Sequence, residues 1–273
     1  MRNYRNFLNE EYTPILKYYA FDWDDNILYM PTKIYMLKKS TKEYIPVSTD
    51  EFAKLRNNSD YDIGKKSFIN FRDIKPNIFL EDTKKAISEK KFGPSWDTFI
   101  KALTSGSLFA IITARGHEPK TIRKAVKYII DNVLTDEQRN DMATNLTVFL
   151  NLFNKKDIMI QYDFSYLTKI YLNNCMFIGV SSQYFMKKYP EIAGEFSVAN
   201  PEKAKMLALQ DFIDKINRFS KKIKATVKLG FSDDDKKNAD KIEKFFNEIN
   251  MNYNIEFNVY NTNNPDNIIK KKI

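Results

Sequence analysis

Cysteine, glycine and histidine are scarce in this chain, and each scarcity closes off a class of chemistry. The one cysteine, Cys175, cannot form an internal disulfide. Its place inside the apolar run Cys175 to Val180 marks it as a small core residue, so nothing calls for an oxidising compartment. Only 7 glycines occur, none of them in a Gly-x-Ser-x-Gly elbow. With His117 as the sole histidine, a serine-histidine-aspartate hydrolase would have to be built on that residue without its usual turn. No run of about 18 apolar residues is present, and the beginning, MRNYRNFLNEEY, is polar. Neither a membrane span nor a signal peptide is read, and a soluble, cytoplasmic protein is expected.

What the chain does have is material for a core. Hydrophobic residues make up 43% and aromatics 14% of 273 residues, enough for one large domain or a domain with a smaller one inserted. The net charge of +9 is spread over dispersed lysines. Such a field attracts polyanions, so a nucleic-acid partner stays open; the favoured reading is a Lys, Asn, Ile and Tyr bias of the kind an AT-rich genome produces.

The stretch Tyr18 to Met30, YYAFDWDDNILYM, organises the rest. Ile15 to Phe21 reads as a buried strand and stops abruptly at Asp22, Asp24 and Asp25. Like charges crowded at a strand end cost free energy unless a proton or a cation compensates them, and Mg2+ suits an all-oxygen site. Further on, Leu108 to Ile112 is a continuous apolar run of the kind covered on both faces in a parallel sheet, and it leads into Thr113-Ala114-Arg115-Gly116-His117. Arg115 is placed to bind a phosphate or a carboxylate; His117 is read as a loop residue near the site, touching substrate.

Asn200-Pro201-Glu202 has the makings of a helix start: a cap residue, a proline in the first turn and an acid at the positive end of the dipole. In the helix that follows, Lys205 falls on the same face as Leu209 and Phe212, where a lysine needs an anionic partner. Lys203 falls with Leu207, Gln210 and Asp214 and remains the alternative. Val227, Leu229 and Phe231 then alternate as a strand that ends in Asp233, Asp234 and Asp235, with Asn238 just beyond.

Elsewhere the pattern predicts a hairpin from Thr32 to Leu37 and Glu43 to Val47, a short helix capped by Thr49 or Asp50, an irregular stretch from Asn57 to Pro76, and helices near Glu81 to Lys90 and Ser95 to Leu103. Helices are predicted from Pro119 to Val133, from Thr135 onward, over Asp163 to Asn173 and over Gln183 to Tyr189. Strands are predicted at Met176 to Val180 and Ile255 to Tyr260, with the lysine-rich end frayed.

Taken in order, an acid pair, a threonine, a lysine and a second acid pair each follow a buried strand or open a helix. In this the chain resembles the haloacid dehalogenase-like (HAD) superfamily, well over residues 15 to 28 and 106 to 117 and adequately over 200 to 246. Asn26 stands where that family commonly has threonine. The wording of the motifs, FDWDDNIL, IITARGHEP and GFSDDD, resembles HAD proteins of bacteriophages.

The resemblance implies an α/β fold: a Rossmann-like core with a mainly parallel sheet over 1–28 and 106–273, helically elaborated over 134–174. An inserted, mostly helical cap with a β-hairpin flap would span 29–105 and decide specificity. It implies Asp22 as nucleophile, Asp24 as general acid and base, and Thr113 and Lys205 neutralising the transferred phosphoryl oxygens. Mg2+ would be held by Asp22, the Asp24 carbonyl, Asp233 and Asp234, while Asp235 and Asn238 would cap a helix and orient the loop. The expected substrate is a small phosphomonoester. Two alternatives stay open: a phosphatase for nucleotide or polynucleotide ends, and a non-catalytic binding or assembly protein on the same fold.

Overall fold

The computed structural model describes residues 15–74, 78–153, 162–190 and 201–273. Asn200, the expected helix cap, lies outside the described residues. The chain is an α/β protein with a mostly parallel six-stranded sheet. Its strands are β1 (Ile15–Phe21), β5 (Phe109–Thr113), β6 (Met176–Gly179), β7 (Thr226–Asp233), β8 (Ile255–Asn261) and β9 (Ile269–Lys272), in the order β6-β5-β1-β7-β8-β9. All neighbours run parallel except β9, which pairs antiparallel with β8. Every residue of β5 is buried, as befits a strand covered on both faces.

The order places the site. From β1 the chain builds outward through β5 to β6, then returns to lay β7 on the other side of β1. Strand order therefore reverses at β1, and an open parallel sheet has its binding crevice beyond the carboxyl ends of the strands at such a point. Asp22 directly follows β1, Thr113 ends β5 and Asp233 ends β7.

Helices α2 (Ile78–Ser88) and α3 (Trp96–Thr104) fall within the expected 29–105 insertion, yet Phe79, Ala86, Phe99, Ala102 and Leu103 are buried in the main core. Phe99 stands edge-on to both Phe21 and Phe109, locking α3 to the central strands. A separate small core is formed around Ile34, Met36 and Val47. It belongs to a three-stranded sheet of β2 (Ile34–Lys38), β3 (Glu43–Val47) and β4 (Tyr61–Ile63), with α1 (Thr49–Leu55) packed on it.

The remaining helices are α4 (Pro119–Asn132), α5 (Asp136–Phe153), α6 (Phe164–Asn174), α7 (Gln183–Lys188), α8 (Pro201–Ile223) and α9 (Lys236–Ile249). No helix among the described residues is long and apolar enough to cross a membrane.

Three expectations are corrected. The cap of α1 is Ser48 rather than Thr49 or Asp50: Ser48 Oγ accepts from the Glu51 N–H and the Glu51 carboxylate accepts from the Ser48 N–H, a reciprocal capping box. Thr49 is occupied elsewhere, donating to Asp25. The stretch read as irregular contains β4, which pairs with β2 through only three residues, Tyr61 to Ile63. The lysine-rich end is a strand rather than frayed: Lys271 and Lys272 pair with Glu243 and Glu256, and exposed lysines are a common guard on an edge strand.

Candidate active site

The loop after β1 is held open by its neighbours. Asp25 takes a left-handed backbone conformation, φ +55°, which aspartate tolerates better than most residues. Gly93 passes so close that a Cβ there would stand 2.5 Å from the Asn26 carbonyl oxygen. The N–H groups of Gly93 and Ser95 donate to the carbonyls of Ile27 and Asn26.

Asn26, fully buried, ties the strand ends together. Its Nδ2 donates to the Asp22 carbonyl at 3.0 Å and to Ser232, both carbonyl and Oγ, while its Oδ1 accepts from Ser95 Oγ and Thr262 Oγ1, each at 2.8 Å. Threonine in that place has one hydroxyl and could not make this set. Replacing Asn26 by alanine removes several buried hydrogen bonds and leaves partners unsatisfied, so Asn26→Ala should cost about 3 kcal/mol in urea unfolding. A loss below about 1 kcal/mol would mean the knot is not built this way.

Of the two candidate lysines, Lys203 is exposed and Lys205 is 2% exposed, with Nζ 3.0 Å from Asp22 Oδ1 and 2.7 Å from Asp233 Oδ2. Burial works against its charge, but the two carboxylates outweigh burial and hold the ammonium charged far above the ordinary lysine range. Asp233 is fixed by further donors, accepting at Oδ1 from the Asp235 N–H and from Asn238 Nδ2. Asp235 also caps α9 by accepting from the Lys237 N–H. The roles expected of Asp235 and Asn238 thus meet at one carboxylate.

One oxygen from each of Asp22, Asp233 and Asp234 lies within 4.8 Å of the others. Burial pushes the Asp22 carboxyl well above the usual carboxylate range; Lys205 pulls it back, and Asp233, Asp234 and Asp24 push it up again. Asp234 is raised to about 8, by burial first and by Asp233 next. With Asp22, Asp24, Asp233 and Asp234 all ionised, four negative charges would stand against the two positive charges of Lys205 and Arg115. The raised Asp22 and Asp234 carboxyls answer that crowding by favouring their protonated forms. An all-oxygen donor set of three clustered carboxyls, two of them pushed up by burial and by one another, fits a hard divalent cation that would let them ionise.

Asp24 points elsewhere. Its carboxylate accepts from Arg115 Nε at 2.8 Å and Nη2 at 2.6 Å, and from Thr113 Oγ1 at 3.3 Å. Arg115 is buried, stacked over Phe71 at 4.4 Å, and donates also to Thr32. This pair joins two loops far apart in sequence, and no motif spacing announces it. Thr113 Oγ1 also accepts from the Arg115 N–H, so among the described residues its hydroxyl serves the Asp24 and Arg115 arrangement.

His117, expected to touch substrate, does not line the cavity beside Asp22 and Asp24. It is fully buried with its ring 4.9 Å from that of Phe79, and neither ring nitrogen has a hydrogen-bond partner among the described residues. Burial, and then Arg115, lower its pKa from 6.5 to about 4. The unfolded chain therefore takes up a proton near pH 6.5 that the folded chain refuses until about pH 4. The contribution of neutral His117 is whole above 6.5 and is lost as pH falls through that window. Between pH 7 and pH 5 this amounts to about 2 kcal/mol. Urea titrations should show His117→Phe losing that much less than the parent over the same interval; equal losses would contradict the buried neutral imidazole.

No family model, no curated protein and no solved structure matches this chain.

Proposed function

We propose that this chain is a Mg2+-dependent phosphatase that hydrolyses a phosphomonoester through an aspartyl-phosphate intermediate, with a HAD-like core and with the three-stranded unit as part of its cap. The observation that carries the reading is Asp22 itself. It is a buried carboxylate at the end of the central strand, flanked by Lys205, clustered with Asp233 and Asp234, and on the wall of a cavity of about 250 Å3.

In this reading Asp22 attacks phosphorus; the new bond is carboxylate oxygen to phosphorus, and the bond to the leaving oxygen breaks. Asp24 supplies the proton to that oxygen, then takes one from the water that cleaves the aspartyl-phosphate, and inorganic phosphate leaves. Its two donors, Arg115 and Thr113, hold the carboxylate in place between the steps. Lys205 keeps the nucleophile's negative charge tolerable in a buried place and faces the phosphoryl oxygens as charge moves onto them. Mg2+ would be held by Asp22, the Asp24 carbonyl, Asp233 and Asp234, and would neutralise the phosphoryl group and orient it for in-line attack.

Hydrolysis of a generic aryl phosphate, measured with Mg2+, with a chelator, and with Mg2+ restored, tests this directly. Turnover that disappears and returns with the metal is expected. Absence of turnover across a broad phosphomonoester panel, with Mg2+ demonstrably bound, would leave the binding-protein alternative standing instead.

A further inference from the structure

The cavity that opens from Asp22 and Asp24 has chemistry the hydrolytic step does not use. Beyond its ionic floor, one wall is apolar and largely aromatic: Ile34 of β2, Phe52 of α1, and Phe68 and Phe71 from the turn that follows β4. These side chains belong to or pack against the small second core, so the wall is part of a folded unit. Phe52 and Phe71 each stand edge-on to Phe68, which fixes the ring faces.

The lining also includes Arg56 and Arg72. Both are exposed, and neither has a side-chain ion pair or hydrogen bond among the described residues. Arg72 is held at this edge by the backbone: it bridges to Gly116, whose N–H donates to the Phe71 carbonyl at 2.8 Å. A Cβ at Gly116 would stand 3.1 Å from Arg72 Cγ, so the arginine stem lies directly against the loop that carries Thr113 and Arg115. Within the same cavity, Nη1 of buried Arg115 is without a hydrogen-bond partner among the described residues.

At about 250 Å3 the space falls a little below the range of roughly 300–1,000 Å3 that encloses drug-sized ligands. It suits one ring with a short substituent. An aliphatic phosphate would leave the phenyl faces against water, and a plain aryl phosphate would leave two guanidinium groups unused.

We infer that the substrate is a phosphomonoester whose alcohol part carries a flat apolar ring and, beyond the ring, a second anionic group received by Arg56 and Arg72. The scissile phosphate in this statement rests on the phosphatase reading; the ring and the second anion rest on the cavity alone. Carboxylate and phosphate share the chemistry that the two arginines recognise.

The test separates recognition from turnover. Binding is measured by calorimetry in Mg2+ on the Asp22→Asn variant, with four probes: phenyl phosphate, 4-carboxyphenyl phosphate, 1,4-phenylene bisphosphate and glycolate 2-phosphate. The same four are offered to the unaltered protein as substrates. At least one of the two probes that combine ring and second anion is expected to bind about tenfold or more tighter than phenyl phosphate, and which one identifies the anion. Glycolate 2-phosphate, with an anion but no ring, should gain nothing over phenyl phosphate. In the Arg56→Gln and Arg72→Gln double variant, made in the same background, the ratio of the doubly anionic probe's affinity to that of phenyl phosphate on the same variant should fall to about one. The advantage should also shrink with added salt, because both arginines are exposed.

Equal binding of phenyl phosphate and both doubly anionic probes, or a gain that survives the arginine substitutions, overturns the inference. If the binding order holds but the unaltered protein hydrolyses none of the four, the phosphatase reading fails and the pocket assignment stands. If all four are hydrolysed with the same kcat/KM and bind alike, the reverse is true.

Discussion

Asp22→Asn is expected to lower Mg2+-dependent phosphate release by on the order of 10^4-fold or more while making the metal-free protein more stable. The two effects have one cause. Asp22 is buried beside Asp233 and Asp234, and burial together with those charges disfavours its ionised form. Asparagine keeps the shape, removes one charge from the crowd, and leaves Lys205 its 2.7 Å contact with Asp233. It cannot form the acyl phosphate.

A side chain held at a functional site against its own stability is a common trade. The gain should be a few degrees in melting temperature for a chain of this length, equivalent to about 1–2 kcal/mol. Its pH dependence follows from the raised carboxyl. The cost of the charge is absent below the unfolded aspartate range, where both states are protonated, and grows as pH rises through the folded value. Variant and parent should therefore separate further with rising pH in chelator. Adding Mg2+ should reverse the order, since the parent has the fuller set of ligands. Thermal melts at several pH values, with and without metal, read all of this. A variant less stable than the parent in chelator would show Asp22 to be an ordinary structural carboxylate.

The reach of the sequence can be traced residue by residue. β5 is legible because a strand covered on both faces has to be apolar along its length, β1 because its aromatic-rich second half is apolar, and β7 because Val227, Leu229 and Phe231 alternate; the carboxylates that end β1 and β7 break those patterns abruptly. Lys205 is legible for a geometric reason: helical periodicity assigns it to the face of Leu209 and Phe212, and all three are buried. Where a residue points follows from period; what it meets across the fold does not.

The Arg115 to Asp24 pair and the Asn26 knot join positions from different loops, so no local rule announces them. The same limit explains His117, which looked like a site residue by its place in the loop and is instead packed against Phe79. β4 was missed because three residues are too few to display alternation. β9 was missed because an exposed edge strand rich in lysine has the composition of a frayed end.

Lys205→Met tests the ionic centre at its most exposed point, energetically speaking. The substitution keeps an unbranched stem of similar length and leaves Asp22 and Asp233 buried, close together, and without their shared cation. Breaking a buried pair in this way costs about 3–5 kcal/mol, because the partners are left desolvated. The loss should be largest at alkaline pH and shrink on acidification, since the stranded carboxyls can then protonate and the repulsion ends.

Adding Asp233→Asn to Lys205→Met should restore much of the loss, as expected for residues in contact whose effects are not additive. Added Mg2+ should also recover more stability in the lysine variant than in the parent, because a divalent cation among the same oxygens relieves the same repulsion. Urea unfolding at two pH values, in chelator and in Mg2+, gives each quantity. A loss under about 1 kcal/mol, the size seen for surface pairs, or one that ignores pH, would mean that Lys205 does not neutralise the acidic cluster.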